Sequence, residues 1–306
     1  MTEIDAVRLN FTPESLIALD VILAFVLFGV ALDIKVEDFK GIVTAPRGTL
    51  IGLLAHSVFL PAVAWGLTMI LRPAPSIALG MILVASCPSG NISNFLVNYA
   101  RGNTALSVTI AAFSMLGSIF FTPFNLAFWG ELNPYTRPIL HSVSLSPWEV
   151  LGTVVVLLGI PTVLGVWVSH RFPAFAQRSR KPFRVLSLAF FVVFVVGALA
   201  VNWDFFMRYV HRVVLFVFLL NAFALLTGYY TARAFRLPEP DRRAVSLEVG
   251  IQNSGFGLAL VFNFFGGLGG MAIVAAWWGI WHILAGLTVS TLWRRQAPVP
   301  ATAGSA

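Results

Sequence analysis

Nine long apolar stretches, at roughly 13–33, 48–71, 75–99, 103–129, 148–169, 183–203, 211–235, 242–264 and 270–293, leave little of this chain for anything but a membrane. A helix needs about 20 predominantly apolar residues to cross the hydrocarbon layer. Lipid offers no water to an unpaired N–H or C=O, so spans of this kind are helical. The longest connections, 130–147 and 170–182, are too short to hold a separate domain. Charged residues make up 11% of the chain, against roughly 25% in soluble domains. The expectation is an all-α integral membrane protein with nine transmembrane helices: an N-terminal segment at 1–12, one membrane domain at 13–295 and a tail at 296–306.

The net charge of +7 does not point to nucleic acid, because the basic residues sit in short loops and form no stripe interleaved with aromatics. Nine spans put the two ends on opposite sides. Arg8, Arg72, Arg137, Arg208 and Arg212 then share the N-terminal side, and the other fifteen of the 20 Lys and Arg lie opposite. Cytoplasmic loops carry the excess of positive charge, so the N-terminus is expected outside and the C-terminus in the cytoplasm. Cys87 is the sole cysteine, which excludes an intramolecular disulfide. His56, His141, His170, His211 and His282 have no neighbouring thiolates and no helical His–His spacing, so no zinc pattern exists. The N-terminus, with Arg8 against Glu3 and Asp5, does not read as a cleaved signal peptide.

Two spans are interrupted deep in the membrane. The third carries Pro88, Ser89, Gly90, Asn91, Ser93 and Asn94 in close succession, and the eighth carries Glu248, Gly250, Gln252, Asn253, Ser254, Gly255 and Gly257. Non-helical backbone is tolerated at that depth only inside protein or along a watery cavity. Pro88 removes a donor and crowds the preceding turn, and unwinding frees carbonyls that are good ligands for hard cations such as Na⁺. Paired breaks at matching places in two halves are the best sequence pointer to a transporter's midplane site. The halves do correspond: spans one to four match spans six to nine in order and in inverted orientation, with span five unpaired.

Glu248 is the most informative single residue. It lies six residues in from Arg242, about 9 Å deep at ~1.5 Å per residue, and a carboxylate at that depth marks an ion or proton pathway. Asp20 reads as a solvated outer position, and His56 and His282 each fit a hydrogen-bonded core histidine. Cys87 reads as a small packing residue.

The motifs around these breaks resemble those of the bile acid:sodium symporter family, and of its bacterial members in particular. CPSGNISN is similar to that family's CPGG-x-x-SN, YARGNTALSV to the continuation after it, EVGIQN to E-x-G-x-QN, GIWHILAGLTVSTLW to the final helix, and ALDIKVEDFK to the first amphipathic loop. The resemblance runs from about residue 12 to 295. It implies a panel domain and a core domain, an inverted repeat, two broken helices crossing in the core, and a bacterial inner membrane. It also implies a first sodium site of Ser93, Asn94, Ser107 and Glu248, completed in the family by a Thr one turn after Ser107, where this chain has Ala111. The second sodium site would use Glu248, Gln252 and the carbonyls of Val249 and Ile251. There the family expects a Gln on the preceding helix, and this chain has His56. Ser89, Gly90, Asn91 and Asn253 would face the substrate.

The reading is a secondary active transporter of a small organic anion (bile-acid-like, keto-acid or pantoate-like) working by alternating access. Na⁺ is the expected coupling ion, weakened at Ala111 and His56, with H⁺ as an alternative through His56 and Glu248. The competing classes are an uncoupled facilitator of the same fold and an intramembrane enzyme, for which only Glu248, His56 and His282 offer chemistry. The expected partners are the organic anion and membrane lipid, with no nucleic acid.

Overall fold

The computed structural model describes residues 3–9, 12–32, 34, 46–90, 92–143 and 147–296; Asn91 and most of the ALDIKVEDFK segment lie outside the described residues. Thirteen helices are named here. They are α1 (Glu3–Ala6), α2 (Pro13–Ala31), α3 (Pro46–Leu71), α4 (Pro75–Ser86), α5 (Ser93–Tyr99), α6 (Thr104–Leu132) and α7 (Arg137–Val143). After these come α8 (Pro147–Val154, running on through Ile160–Arg171), α9 (Pro173–Val201), α10 (Trp203–Ala234), α11 (Glu239–Gly250), α12 (Ser254–Phe265) and α13 (Gly269–Arg295). Among the described residues, six helices are long and apolar enough to cross a membrane; α4 and α12 are shorter apolar helices. The protein is a multi-pass helical membrane protein.

The helices begin and end where local chemistry requires. Pro46, Pro75 and Pro173 each open a helix, where the missing N–H costs nothing. Asn103 caps α6 by accepting from the Leu106 N–H at 3.1 Å, and Asn253 caps α12 by accepting from the Phe256 N–H at 3.1 Å. Helix α3 ends on Arg72 in the left-handed region, with φ 47°.

Two helices carry one π-helical turn each, Ala55–Phe59 in α3 and Val155–Gly159 in α8, and each turn lies just before a proline, Pro61 and Pro161. A proline ring crowds the carbonyl four residues earlier, and the wider turn moves that carbonyl aside. For Pro61 this is the carbonyl of Ser57, which accepts from Asn125 Nδ2 on α6 at 2.9 Å. The segment 170–182, expected as a connection, is helical from Pro173 onward. Its Ala, Gln, Arg and Lys residues favour helix, and α9 packs along α2, with Phe25 and Phe183 stacked at 4.8 Å.

The packing separates the helices into two groups. Helices α2, α8 and α9 lie on one another; α3 to α6 and α10 to α13 form the larger group. The groups meet mainly where α2 touches α12 and where α8 touches α6. Close backbone approach holds the larger group. A Cβ on Gly228 of α10 would lie 2.7 Å from Ser246 Cα of α11, and one on Gly80 of α4 would lie 2.9 Å from Met271 Cα of α13.

Each end of the larger group is tied. At one end the Asp5 carboxylate accepts from the Ser76 N–H at the start of α4 (2.8 Å), and Leu9 N–H donates to Gly267 O (3.0 Å). At the other, Arg243, 2% exposed, donates to Ala100 O (2.9 Å) and Trp293 O (3.1 Å), while Asn103 donates to Asp241 (2.8 Å). A guanidinium placed on the last carbonyls of two helices answers both their unpaired acceptors and their dipoles.

Candidate cation and substrate site

The two interruptions meet. Residues 87–92 separate α4 from α5 and residues 251–253 separate α11 from α12. There Ser89 and Gln252 form an antiparallel bridge: Gly90 N–H donates to Ile251 O and Asn253 N–H donates to Pro88 O, both at 2.8 Å. Each break supplies the partners the other has lost. A Cβ on Gly90 would stand 3.0 Å from both Gln252 O and Ile251 Cγ2, so glycine is what permits this approach. Side chains take the remaining loose carbonyls: Thr122 Oγ1 donates to Ser86 O (2.6 Å) and Asn221 Nδ2 to Gly250 O (2.7 Å). The accounting is what backbone buried away from water demands.

Glu248 lies one turn before the second break, fully buried. One carboxylate oxygen accepts from Ser89 Oγ at 2.5 Å and the other accepts from Ser107 Oγ of α6. Ser107 Oγ is also 2.7 Å from Asn94 Oδ1, and Ser93 Oγ, itself fully buried, is 3.4 Å from Ser89 Oγ. A hydroxyl has one proton, so Ser107 cannot donate to both Glu248 and the Asn94 oxygen. Four side chains therefore turn oxygens towards one buried carboxylate, with more acceptors than protons. That donor set suits a hard monovalent cation. Among the described residues no group of three His, Cys, Asp or Glu side chains could hold a metal ion, and a sodium site of hydroxyl, amide and carboxylate oxygens needs none.

The expected first-site residues Ser93, Asn94, Ser107 and Glu248 are thus brought together. Ser89, assigned to substrate from the sequence, puts its hydroxyl on the same carboxylate. Ala111 lies one turn beyond Ser107 on α6, and Ser114 donates to its carbonyl at 3.0 Å while accepting from the Ser89 N–H at 3.2 Å. Sequence reasoning missed Ser114, although its spacing of seven from Ser107 puts both on one helix face. It also missed Asn221, a lone amide in the apolar run of α10.

The second-site residues are also gathered, with different chemistry. Gln252 Nε2 donates to Val249 O at 2.8 Å, which fixes the amide's orientation and leaves Oε1 facing His56 Nε2 at 3.1 Å. His56, 3% exposed, stands on the π-helical turn of α3, with Nδ1 3.4 Å from Ser57 Oγ. Asn253 spends its side-chain oxygen on the α12 cap. Asp20, on α2, accepts from Asn263 Nδ2 of α12 at 2.8 Å, which joins the two helix groups. His282 is buried with Nδ1 unpartnered, and Cys87, the residue that ends α4, donates back to Leu83 O at 3.3 Å.

Two interrupted helices that meet beside a buried, hydroxyl-ringed carboxylate inside a multi-pass helical protein fit the class of membrane transporters. The chain belongs to the sodium bile acid symporter family, whose model matches residues 20–208. It is 29% identical over 276 residues to the Bacillus subtilis protein named uncharacterized sodium-dependent transporter YocS, covering 90% of this chain and 83% of that one. It is 26% identical to the Arabidopsis thaliana probable sodium/metabolite cotransporter BASS1, chloroplastic, over 90% of this chain and 66% of that one. It is likewise 26% identical to the rabbit (Oryctolagus cuniculus) ileal sodium/bile acid cotransporter, over 77% of this chain and 66% of that one. These relatives are named as transporters and cotransporters, and this chain is a transporter rather than an enzyme.

Proposed function

We propose that this chain is a secondary active symporter that couples Na⁺, bound at Glu248, to the movement of a small organic anion by alternating access. The observation that carries the reading is the Glu248 carboxylate, fully buried and contacted by the hydroxyls of Ser89 in the first break and Ser107 on α6. An uncompensated charge there is costly, and a cation among the same oxygens removes that cost. Ser93, Asn94, Ser107 and Glu248 hold the ion, joined by the Ser89 hydroxyl. The substrate lies against the crossover at Gly90 and Asn253. Bile-acid-like, keto-acid and pantoate-like anions are the candidates; the rabbit relative is named as a bile acid cotransporter and the Arabidopsis one as a metabolite cotransporter.

The chain crosses the inner membrane of a bacterium nine times as one membrane domain, 13–295, with residues 1–12 outside and 296–306 in the cytoplasm. Helices α2, α8 and α9 act as the panel and the remaining spans as the core, an inverted repeat about the crossover. Supporting this orientation, basic residues assigned to the cytoplasmic side meet carbonyls assigned to the same side, Arg47 at Phe235 O and Arg180 at Leu32 O. The Asp20–Asn263 hydrogen bond is then a panel-to-core contact in the outer half, one that outward opening breaks.

The test is uptake of radiolabelled taurocholate, pyruvate and pantoate into proteoliposomes, with Na⁺ replaced by choline at fixed pH. At least one anion is taken up in Na⁺ and not in choline, and unlabelled anion inside accelerates its entry. Equal uptake in both salts overturns the sodium coupling, and absence of trans-stimulation points to a channel.

A further inference from the structure

The oxygens that a second cation would need are already engaged by the protein. Val249 O accepts from Gln252 Nε2 (2.8 Å), Ile251 O from Gly90 N–H (2.8 Å) and Gln252 Oε1 from His56 (3.1 Å). The two Glu248 oxygens are taken by Ser89 and Ser107. The first-site hydroxyls can rotate their protons away and offer lone pairs, because a hydroxyl is both donor and acceptor. His56 has no such freedom. Gln252 is held by its own bond to Val249 O, so the atom facing Nε2 is an acceptor. The imidazole must then carry a proton on Nε2, as it does both in the corresponding neutral tautomer and when charged. The other neutral tautomer would oppose two lone pairs across 3.1 Å. His56 is kept in place by the π-helical turn that Pro61 imposes on α3, and by the bond from Asn125 to the carbonyl that this turn frees.

We infer that the His56 Nε2–H replaces the second cation, and that this transporter binds one Na⁺ per protein, at Ser93, Asn94, Ser107 and Glu248. The inference rests on the sodium-coupled reading above. The amide oxygen of Gln252 and the carbonyl of Val249 remain as structural acceptors, tying α3 of the core to the second break without an ion.

The experiment is equilibrium binding of ²²Na⁺ to the purified full-length protein in detergent, with site concentration fixed by amino-acid analysis. The wild type saturates at one ion per chain. His56→Gln, which exchanges the N–H for an amide whose oxygen can face the site, saturates at two, and Ser107→Ala raises the Na⁺ concentration for half-saturation roughly 13- to 150-fold. Two ions in the wild type overturn the inference and leave the sodium-coupled reading standing. No binding in the wild type overturns that reading and the inference with it. A folded His56→Gln that still binds one ion shows that His56 is not what excludes the second. If His56→Gln does not fold, His56→Asn is the second variant, and the wild-type count alone still tests the stoichiometry.

Discussion

Removing the Ser107 hydroxyl tests the cation site most directly, because it deletes one oxygen and leaves the fold of α6 untouched. Ser107 is fully buried, and its Oγ contacts both Glu248 and Asn94. Hydrogen bonds and ligand contacts to a charged group contribute about 1.5–3 kcal/mol, equivalent to roughly 13- to 150-fold in affinity at about 1.4 kcal/mol per tenfold. A ligand at 100 times its Kd stabilises the folded state by about 2.7 kcal/mol. At the same Na⁺ concentration Ser107→Ala should retain only about 0.3–1.3 kcal/mol of that stabilisation by the same relation. The assay is thermal unfolding of the detergent-purified protein in NaCl against choline chloride at equal ionic strength, which requires no knowledge of the substrate. The Na⁺-induced rise in Tm should shrink to half or less. A variant that folds and keeps the full wild-type rise would refute the assignment of Ser107 to the ion.

Three further outcomes follow from the packing and the cap contacts. Gly90→Ala puts a Cβ 3.0 Å from Gln252 O, so it should cost about 1–3 kcal/mol as overpacking does, and abolish the Na⁺-induced rise in Tm by parting the two breaks. Arg243→Lys keeps the charge but cannot serve Ala100 O, Trp293 O and Glu239 together; its Tm in choline should fall while the Na⁺-induced rise persists. Ala111→Thr returns a hydroxyl one turn from Ser107 and should lower the Na⁺ concentration giving half-maximal stabilisation by several-fold, read from a Na⁺ titration of Tm.

Much of this was legible because lipid makes backbone irregularity expensive. Pro88, Gly90 and Gly250 could break helices at membrane depth only around something polar, and Glu248 named what that was. Sequence could not reveal that Ser89 turns to Glu248, because its hydroxyl has equally plausible partners in its own loop. The π-helical turns were hidden for a related reason. Pro61 and Pro161 announce a disturbance, but whether a helix kinks, breaks or widens depends on which donor reaches the displaced carbonyl, and Asn125 lies 68 residues from Ser57. The extension of α9 back to Pro173 was masked by Pro182, which reads as a boundary until the packing on α2 is known.

The one-ion stoichiometry inferred from the imidazole at the crossover also has a consequence for the electrical character of the cycle. One Na⁺ travelling with one monovalent anion moves no net charge, whereas two would move one positive charge inward. A membrane potential contributes about 2.3 kcal/mol per charge per 100 mV, or roughly fifty-fold in accumulation at about 1.4 kcal/mol per tenfold. A carrier with the one-ion stoichiometry inferred above forgoes that factor. Its anion gradient then follows the sodium gradient alone and holds steady when the membrane depolarises.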